Sequence, residues 1–374
     1  MNFTKKYNID GPVNIIRLTN GIKIVYIFGD LHNSLEKQTE CVYNRDIESI
    51  SIDKFFRKIF KNNPDKKFDF FYEGYSDKDS KVDVKQYDEM LNLNKYYTSK
   101  YIDQIMKLVF NNIYLVDNKI HTSKHFHNVR LHYFNFRNVV PHYNYLFNDH
   151  SNFYNLKDSY NYNKITDYLI HYRKMLIEIK DFLESDTNSY MIKIKSKYIN
   201  SKIKNRILEI FDTIIIKSLN NIFKLIDDTI TYIKDTPELF DKYITIEKIY
   251  ELNKIVFINI ILISDLLFYL FCNLIDIYLI RRLLDKDYIN NCIIYTGAYH
   301  MIDIAYLLIK YFDFKITHIA NSDKTVDNDN IENLNMIIKK KDIINYNDII
   351  FLCTYLENNG YQCSNLFNFP DNLE

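Results

Sequence analysis

The chain has 374 residues, with 48 basic and 48 acidic side chains and a formal net charge of zero. A balanced charge argues against a dedicated nucleic-acid-binding protein, which presents an excess of basic residues on one face. The hydrophobic fraction of 47% is enough to bury a sizeable core and excludes a disordered chain. Glycine is scarce, with 6 residues, which excludes collagen-like and glycine-rich linker architectures.

The composition also suggests a source and a compartment. Residues with AT-rich codons dominate, which points to the genome of an AT-rich parasite, symbiont or large DNA virus. The 5 cysteines contain no C-x-x-C pair, so we expect neither a zinc framework nor a disulfide scaffold. The first ten residues are polar and charged, unlike a secretory signal. We therefore expect a protein of the host cytoplasm or the virion, not a secreted one.

The first half of the chain predicts strands that alternate with helices. Residues 13–19 and 22–28 flank Asn20-Gly21, a strong signal for a β-hairpin. The apolar pattern then predicts a helix near 48–61, a buried strand at 68–74, a helix over 86–111 and strands at 112–117 and 130–136.

The second half begins with long apolar patterns at helical spacing, from about 150 to 290. Residues 255–284 are apolar enough for a membrane span, but Asn259, Asp265 and Asp276 interrupt them, so we expect a helix buried in a soluble core and no membrane. The pattern then predicts a strand at 291–297, a helix at 300–312, a strand at 314–320 and a polar loop at 322–335. An apolar run follows at 348–357, and its pattern does not distinguish a helix from a strand.

This alternation predicts an α/β fold with a mixed, largely parallel central sheet flanked by helices. We expect the core domain to comprise residues 1–149 and 291–374. A large all-helical insertion, residues 150–290, would pack on it.

Three of the glycines stand where predicted strands end, each beside a side chain suited to chemistry. Gly29-Asp30-Leu31-His32 and Gly297-Ala298-Tyr299-His300 share a Gly-x-x-His pattern, and the strand at 68–74 ends in Glu73-Gly74. Ligands of α/β sheets bind at the carboxyl ends of strands. His32, Glu73 and His300 are therefore candidate ligands of a divalent metal ion of unknown identity, or candidate catalytic residues.

Other residues are weaker candidates for the same site. Asp30 and Arg137 would orient a substrate, and Arg137 could hold a carboxylate or a phosphate. Asp276 either borders the active site or forms a buried ion pair. Gly29, Gly74 and Gly297 are expected to serve as backbone turns, because glycine lets the chain leave a strand sharply or approach a ligand closely.

The motifs GDLH, YEGY and GAYH resemble, in type and order, those of the Tiki/TraB, erythromycin-esterase-like and ChaN-like superfamily, and the composition suggests a giant-virus member. The resemblance covers short motifs within residues 22–140 and 276–320. It implies an α/β core with helical insertions and a hydrolase-type site, although some members use a metal, some use a histidine base and some bind haem.

The leading hypothesis is therefore a hydrolase that cleaves an ester or amide bond of a small-molecule or peptide substrate. A first alternative is a catalytically degenerate binding or virion-associated structural protein. A second is a metallophosphoesterase, because YIFGDLH also resembles the first metal-binding motif of that family, in which Asp30 and His32 would be ligands. The other motifs of that family are missing from this chain.

Overall fold

The computed structural model describes residues 8–31, 41, 48–75, 109, 121–122, 126–148, 162–236, 246–321, 328–340, 363–366, 369–370 and 373. Several predictions lie outside these residues: the position of His32, the strand at 112–117, the apolar run at 348–357 and, apart from helical Val109, the helix at 86–111.

The described strands are β1 (Asn8–Asp10), β2 (Asn14–Thr19), β3 (Ile24–Asp30), β4 (Ser49–Ser51), β5 (Phe68–Tyr75), β6 (His121–Thr122), β7 (Val129–Asn135), β8 (Asn291–Gly297), β9 (Lys315–Asn321) and β10 (Cys363–Asn365). The described α-helices are α1 (Ile52–Asn62), α2 (Tyr143–Asn148), α3 (Tyr162–Glu184), α4 (Ser189–Lys195), α5 (Ser201–Ile210), α6 (Lys217–Asp235), α7 (Ile246–Asp285), α8 (Ala298–Phe312) and α9 (Asn328–Lys340). A 3-10 turn, Arg137–Val139, follows β7, and a π-helical segment, Phe211–Ile216, joins α5 to α6.

The main sheet has seven strands in the order β6-β7-β5-β8-β3-β2-β9. The four central strands β7, β5, β8 and β3 are parallel, whereas β6, β2 and β9 pair antiparallel at the two sides. This arrangement confirms the predicted α/β fold with a mixed sheet and a parallel centre. The predicted hairpin is also confirmed, because β2 pairs with β3 from Thr19↔Ile24 to Asn14↔Gly29.

Helix α1 forms because its apolar side chains recur every three or four residues. These buried side chains are Ile52, Phe55, Phe56, Ile59 and Phe60. They pack on one face of the sheet, where the ring of Phe56 meets those of Phe28, Phe70 and Tyr295 edge to face. We call this face of the sheet the α1 face. Because strand side chains alternate, the neighbouring residues of β3, β5 and β8 point to the opposite face.

A second, smaller sheet has the order β10-β1-β4 and was missed by the sequence analysis. Each of its strands is three residues long, too short to give an alternating pattern. Beside it, Cys41 and Cys363 form a disulfide, contrary to the expectation from cysteine spacing. The two cysteines are 322 residues apart, so no short-range motif could reveal the pair.

The polar loop predicted at 322–335 is wrong over its second half, because α9 begins at Asn328. Its buried residues Ile331, Leu334 and Ile338 have helical spacing. The predicted loop ended at residue 335, so it contained Ile331 and Leu334 but not Ile338, and the helical spacing of the three was not recognised.

The chain divides into two compact units, one of residues 1–135 and 282–374 and one of residues 136–281. The first holds both sheets. In the second, the described residues form the 3-10 turn, α2 to α6, the π segment and most of α7. Within α7, Lys254–Asp285 is long and apolar enough to cross a membrane by length and composition alone. A buried core helix passes the same test, so the absence of a membrane partner stays a prediction.

Gly29 lets helix α8 lie directly against β3. A methyl group at this position would collide with Oδ1 of Asn14 and would lie 3.1 Å from Cα of Ala298 and 3.2 Å from Sδ of Met301. The Ala298 contact is with backbone, which can move only if the whole helix moves. The close approach of α8 to the sheet therefore requires glycine here.

We expect Gly29→Ala to destabilise the protein by about 1–3 kcal/mol, because the added methyl group overpacks the contact between β3 and α8. Urea denaturation measures the change in unfolding free energy. Gly21→Ala is the control: its methyl group would meet nothing within 4 Å, but its φ of +85° would cost about 1 kcal/mol. A smaller effect at Gly29 than at Gly21 would contradict the close approach.

Candidate active site at the carboxyl edge of the sheet

Strands β3, β8 and β5 are adjacent and parallel, so their carboxyl ends meet at one edge of the sheet. Asp30 of β3 pairs with Gly297 of β8, and Tyr295 of β8 pairs with Tyr72 of β5, one residue before Glu73. This edge therefore holds Asp30, Glu73 and the start of α8, as ligand sites in α/β folds require.

The carboxylate of Glu73 joins the three elements at this edge. Its Oε2 accepts hydrogen bonds from Oγ1 of Thr296 and from the backbone N–H of Gly297, each at 3.0 Å. Gly297 is the N-cap residue of α8, so the negative charge also lies at the positive end of the helix dipole. Glu73 is only 4% exposed, and these donors stabilise its buried charge.

His300 lies in the first turn of α8 and faces the other carboxylate oxygen. Its Nε2 is 3.3 Å from Oε1 of Glu73, and the residue is 4% exposed. A carboxylate oxygen at this distance from Nε2 favours the tautomer that carries its proton on Nε2. The structure thus brings together Glu73 and His300, two of the three predicted ligands.

Asp30 points to the α1 face, because strand side chains alternate. It is fully buried, and its Oδ2 accepts a hydrogen bond of 3.0 Å from the hydroxyl of Tyr295. Burial, together with the Asp30 carboxylate, raises the pKa of the Tyr295 phenol well above its usual value. At this edge Asp30 therefore holds Tyr295, and its predicted contact with a substrate stays a prediction.

Arg137 and Asp276 belong to the second unit, residues 136–281. Arg137 is buried in the 3-10 turn after β7, with its guanidinium carbon 5.6 Å from the centre of the Tyr143 ring. Asp276 is fully buried on α7. The predicted substrate-binding roles of these two residues stay predictions.

The three predicted turn glycines have different reasons to be glycine. Gly29 allows close packing, as described above. A methyl group on Gly74 would run into the ring of Tyr72, so this position also requires close approach. Gly297 has φ −57° and ψ 144°, which any residue adopts, so its conformation does not explain the glycine.

The described side chains at this edge offer only part of a metal site. Within the described ranges, no group of three or more His, Cys, Asp or Glu residues is placed to hold a metal ion. Glu73 and His300 supply one carboxylate and one imidazole, which are two of the four ligands that a tetrahedral site needs. A complete site would need His32, which lies outside the described residues, so the metal stays a prediction.

The sequence analysis missed a buried charge network on the face opposite α1. Asp69 of β5 is fully buried, and its Oδ1 lies 2.8 Å from Nε2 of His132, while Arg130 holds Oδ2 at 2.5 Å. Nδ1 of His132 accepts from Nε of Arg282 at 3.1 Å. His132 therefore donates through Nε2, accepts through Nδ1 and is neutral.

Burial lowers the pKa of His132 to about 4, although its hydrogen bond to Asp69 opposes this shift. Part of this network could be predicted, because Arg130 and His132 lie two residues apart in one strand and therefore share a face. Asp69 belongs to no recognisable motif, and its position beside β7 follows only from the order of the strands in the sheet.

Thr296 was also missed, because a threonine inside a strand has no distinctive pattern. It is fully buried and donates to Glu73. One of the two Glu73 oxygens is thereby occupied, which leaves Oε1 as the oxygen that faces His300.

The chain is similar to proteins of a giant virus along nearly its whole length. It matches a family of unknown function (DUF5847) over residues 7–189 and 172–374. Uncharacterized protein R706 of Acanthamoeba polyphaga mimivirus is 28% identical, over 98% of this chain and 97% of the relative. Uncharacterized proteins R160 and R161 of the same virus are 29% and 28% identical, over 98% of this chain and 97% and 98% of their own lengths. No solved structure matches the chain.

These relatives agree with the giant-virus source that was inferred from composition. The matches give no support to the resemblance with the Tiki/TraB, erythromycin-esterase-like and ChaN-like superfamily.

The His132 network predicts a pH-dependent stability. The unfolded chain binds a proton on this imidazole below about pH 6.5, while the folded chain does so only below about pH 4. The free energy of unfolding should therefore fall by up to about 3 kcal/mol as the pH drops from about 6.5 to 4, through this residue alone.

Urea denaturation at several pH values between 7 and 4, on wild type and His132→Gln, isolates this contribution. We expect the variant to have a shallower pH dependence, while the control His127→Gln, at an exposed histidine, keeps the wild-type curve. Parallel curves for wild type and His132→Gln would show that His132 does not titrate in this way.

Proposed function

We propose that this chain, which belongs to the family of unknown function DUF5847, is a hydrolase that cleaves an ester or amide bond. The observation that carries the proposal is the contact between the Glu73 carboxylate and the His300 imidazole at the carboxyl edge of three parallel strands. The Gly-x-x-His motifs at Gly29 and Gly297 add support through their resemblance to hydrolases with paired motifs.

In the proposed reaction, His300 acts as the general base. It takes a proton from a water molecule, whose oxygen attacks the carbonyl carbon of the substrate. Glu73 holds the ring and stabilises the imidazolium, as a carboxylate does in other carboxylate–histidine pairs. The tetrahedral intermediate then expels an alcohol or amine, which takes the proton back from His300.

A metal-assisted form of the proposal uses the same residues. His32, Glu73 and His300 would ligate a divalent ion, which lowers the pKa of its bound water to about 7. In this form Glu73 keeps its hydrogen bonds from Thr296 and Gly297, which would orient the ligand oxygen. Asp30 remains the proposed substrate-orienting residue of this unit in either form.

A specific observation also favours the alternative of a non-catalytic binding or virion-associated protein. Glu73 caps α8 and is satisfied by two donors, and both it and His300 are almost inaccessible to solvent. Such a pair can serve structure alone. The metallophosphoesterase alternative has less support, because its first ligand, Asp30, is buried and bonded to Tyr295.

The test uses Glu73→Gln, His300→Ala and, as a control, His127→Ala, which removes an exposed histidine of the same unit. The proteins are assayed on nitrophenyl esters and peptide anilides, with chelator and with added Zn²⁺ or Mn²⁺. We expect kcat/KM of the two site variants to fall by about 10²–10⁴, while the control retains activity.

Elemental analysis of the same proteins separates the metal-assisted form from the metal-free form. Bound metal that disappears in His300→Ala and in His32→Ala supports the first, and activity that resists the chelator supports the second. Normal metal content in His32→Ala rules out the metal-assisted form. A folded wild type that turns over none of these substrates would instead favour the binding protein.

A further inference from the structure

The disulfide between Cys41 and Cys363 links two distant parts of the chain. Its Cα atoms are 5.1 Å apart, and each cysteine is 6% exposed. Cys363 is the first residue of β10, which pairs antiparallel with β1 through Cys363↔Asp10, Ser364↔Ile9 and Asn365↔Asn8. The bond therefore anchors the beginning of the C-terminal segment.

We call the described residues 363–366, 369–370 and 373 the C-terminal strap. Beyond the disulfide and the pairing of β10 with β1, the strap makes further contacts, among them that of the Phe369 ring with the His318 ring, whose centres are 5.7 Å apart. Oγ of Ser364 donates to the carbonyl of Pro12 at 2.8 Å, the ring of Phe369 lies 6.3 Å from that of Tyr26, and the carbonyl of Leu373 accepts from Lys66 at 2.7 Å.

The strap covers part of the hydrophobic core on the α1 face of the main sheet. Phe369 and Leu373 belong to the same buried cluster as Tyr26 and Phe28. Removing the strap would therefore expose apolar core surface, which costs free energy for every part uncovered.

The backbone pairing, hydrogen bonds and ring contacts that hold the described part of the strap are individually weak. A strand pair of three residues is shorter than the usual five or six, and two ring contacts of Phe369 and two hydrogen bonds to carbonyls add modestly to it. A disulfide between residues 322 positions apart closes a long loop, which strongly reduces the conformational entropy of the open chain. The disulfide is therefore the strongest restraint on the described part of the strap.

We propose that the Cys41–Cys363 disulfide is a redox-controlled lock on the C-terminal strap. This inference goes beyond the proposed hydrolase function and does not depend on it. When the bond is intact, the strap is closed over the core. When the bond is reduced, the strap opens and closes locally while the rest of the sheet stays folded.

The lock forms by exchange with a small-molecule disulfide such as oxidised glutathione. The thiolate of one cysteine attacks the glutathione disulfide and releases one glutathione thiolate. The thiolate of the other cysteine then displaces the second one, so that two glutathione thiols leave and one protein disulfide remains. Because both cysteines are buried when the strap is closed, exchange requires the open strap.

The other described cysteines are poorly suited to take part in this exchange. Cys272 and Cys292 are buried and are not part of a disulfide. Burial raises the pKa of the Cys292 thiol well above its usual value, which suppresses the reactive thiolate. Among the described cysteines, thiol–disulfide chemistry is therefore directed to the pair that holds the strap.

The experiment equilibrates the purified full chain with reduced or oxidised glutathione. Alkylation of free thiols and mass spectrometry then report which cysteines are paired, and hydrogen exchange reports the protection of amides in β1 and β10. We expect the Cys41–Cys363 pair in the oxidised sample, and exchange of these amides slower by at least about tenfold than in the reduced sample.

The double variant Cys41→Ser, Cys363→Ser should exchange like the reduced wild type in both buffers. The control Cys272→Ala should keep the difference between the two buffers. Two results would overturn the proposal: failure of the pair to form in the oxidising buffer, or equal protection of β1 and β10 in the oxidised and reduced protein. Neither outcome depends on whether the chain is a hydrolase.

Discussion

The hydrogen bonds that Glu73 accepts from Thr296 and Gly297 connect the elements that form the candidate site. They tie the end of β5 to the end of β8 and to the first turn of α8, which in turn lies against β3 at Gly29. A buried carboxylate is costly unless donors surround it, so this arrangement is stable only when all the elements are in place. The position of His300 depends on the same contacts, because it lies in the turn of α8 that Glu73 caps.

Much of the sheet could be predicted from the sequence. Strands such as β5 and β8 are buried on both faces, so they form largely apolar runs that are easy to recognise. The hairpin was marked by Asn20-Gly21, and Glu73 and His300 were identified because glycine is rare in this chain and stands beside them. Local patterns of this kind reveal single elements and the residues at their ends.

The remaining features depend on contacts between distant residues. The three-residue strands β1, β4 and β10 carry no periodic signal, and the pairing of Cys41 with Cys363 has no characteristic spacing. Asp69 and Thr296 are ordinary strand residues until the strand order places Asp69 beside His132 and Thr296 beside Glu73. At Gly29 and Gly74 an added Cβ would meet neighbouring atoms, a packing reason that no local pattern reveals, whereas the backbone angles of Gly297 give no reason for glycine.

The order of the strands also has a consequence for how the protein is made. Strand β8 lies between β3 and β5, although more than 200 residues separate it from either along the chain, as shown by the bonds Tyr295–Asp30 (265 residues) and Thr296–Glu73 (223 residues). During synthesis the early strands therefore wait for their central neighbour until most of the chain has left the ribosome. Residues 136–281 form a compact unit of largely local helical contacts and can fold during this delay. Until β8 is made, the edges of β3 and β5 that will pair with it stay open, and unpaired strand edges are the part of a nascent chain most prone to aggregation.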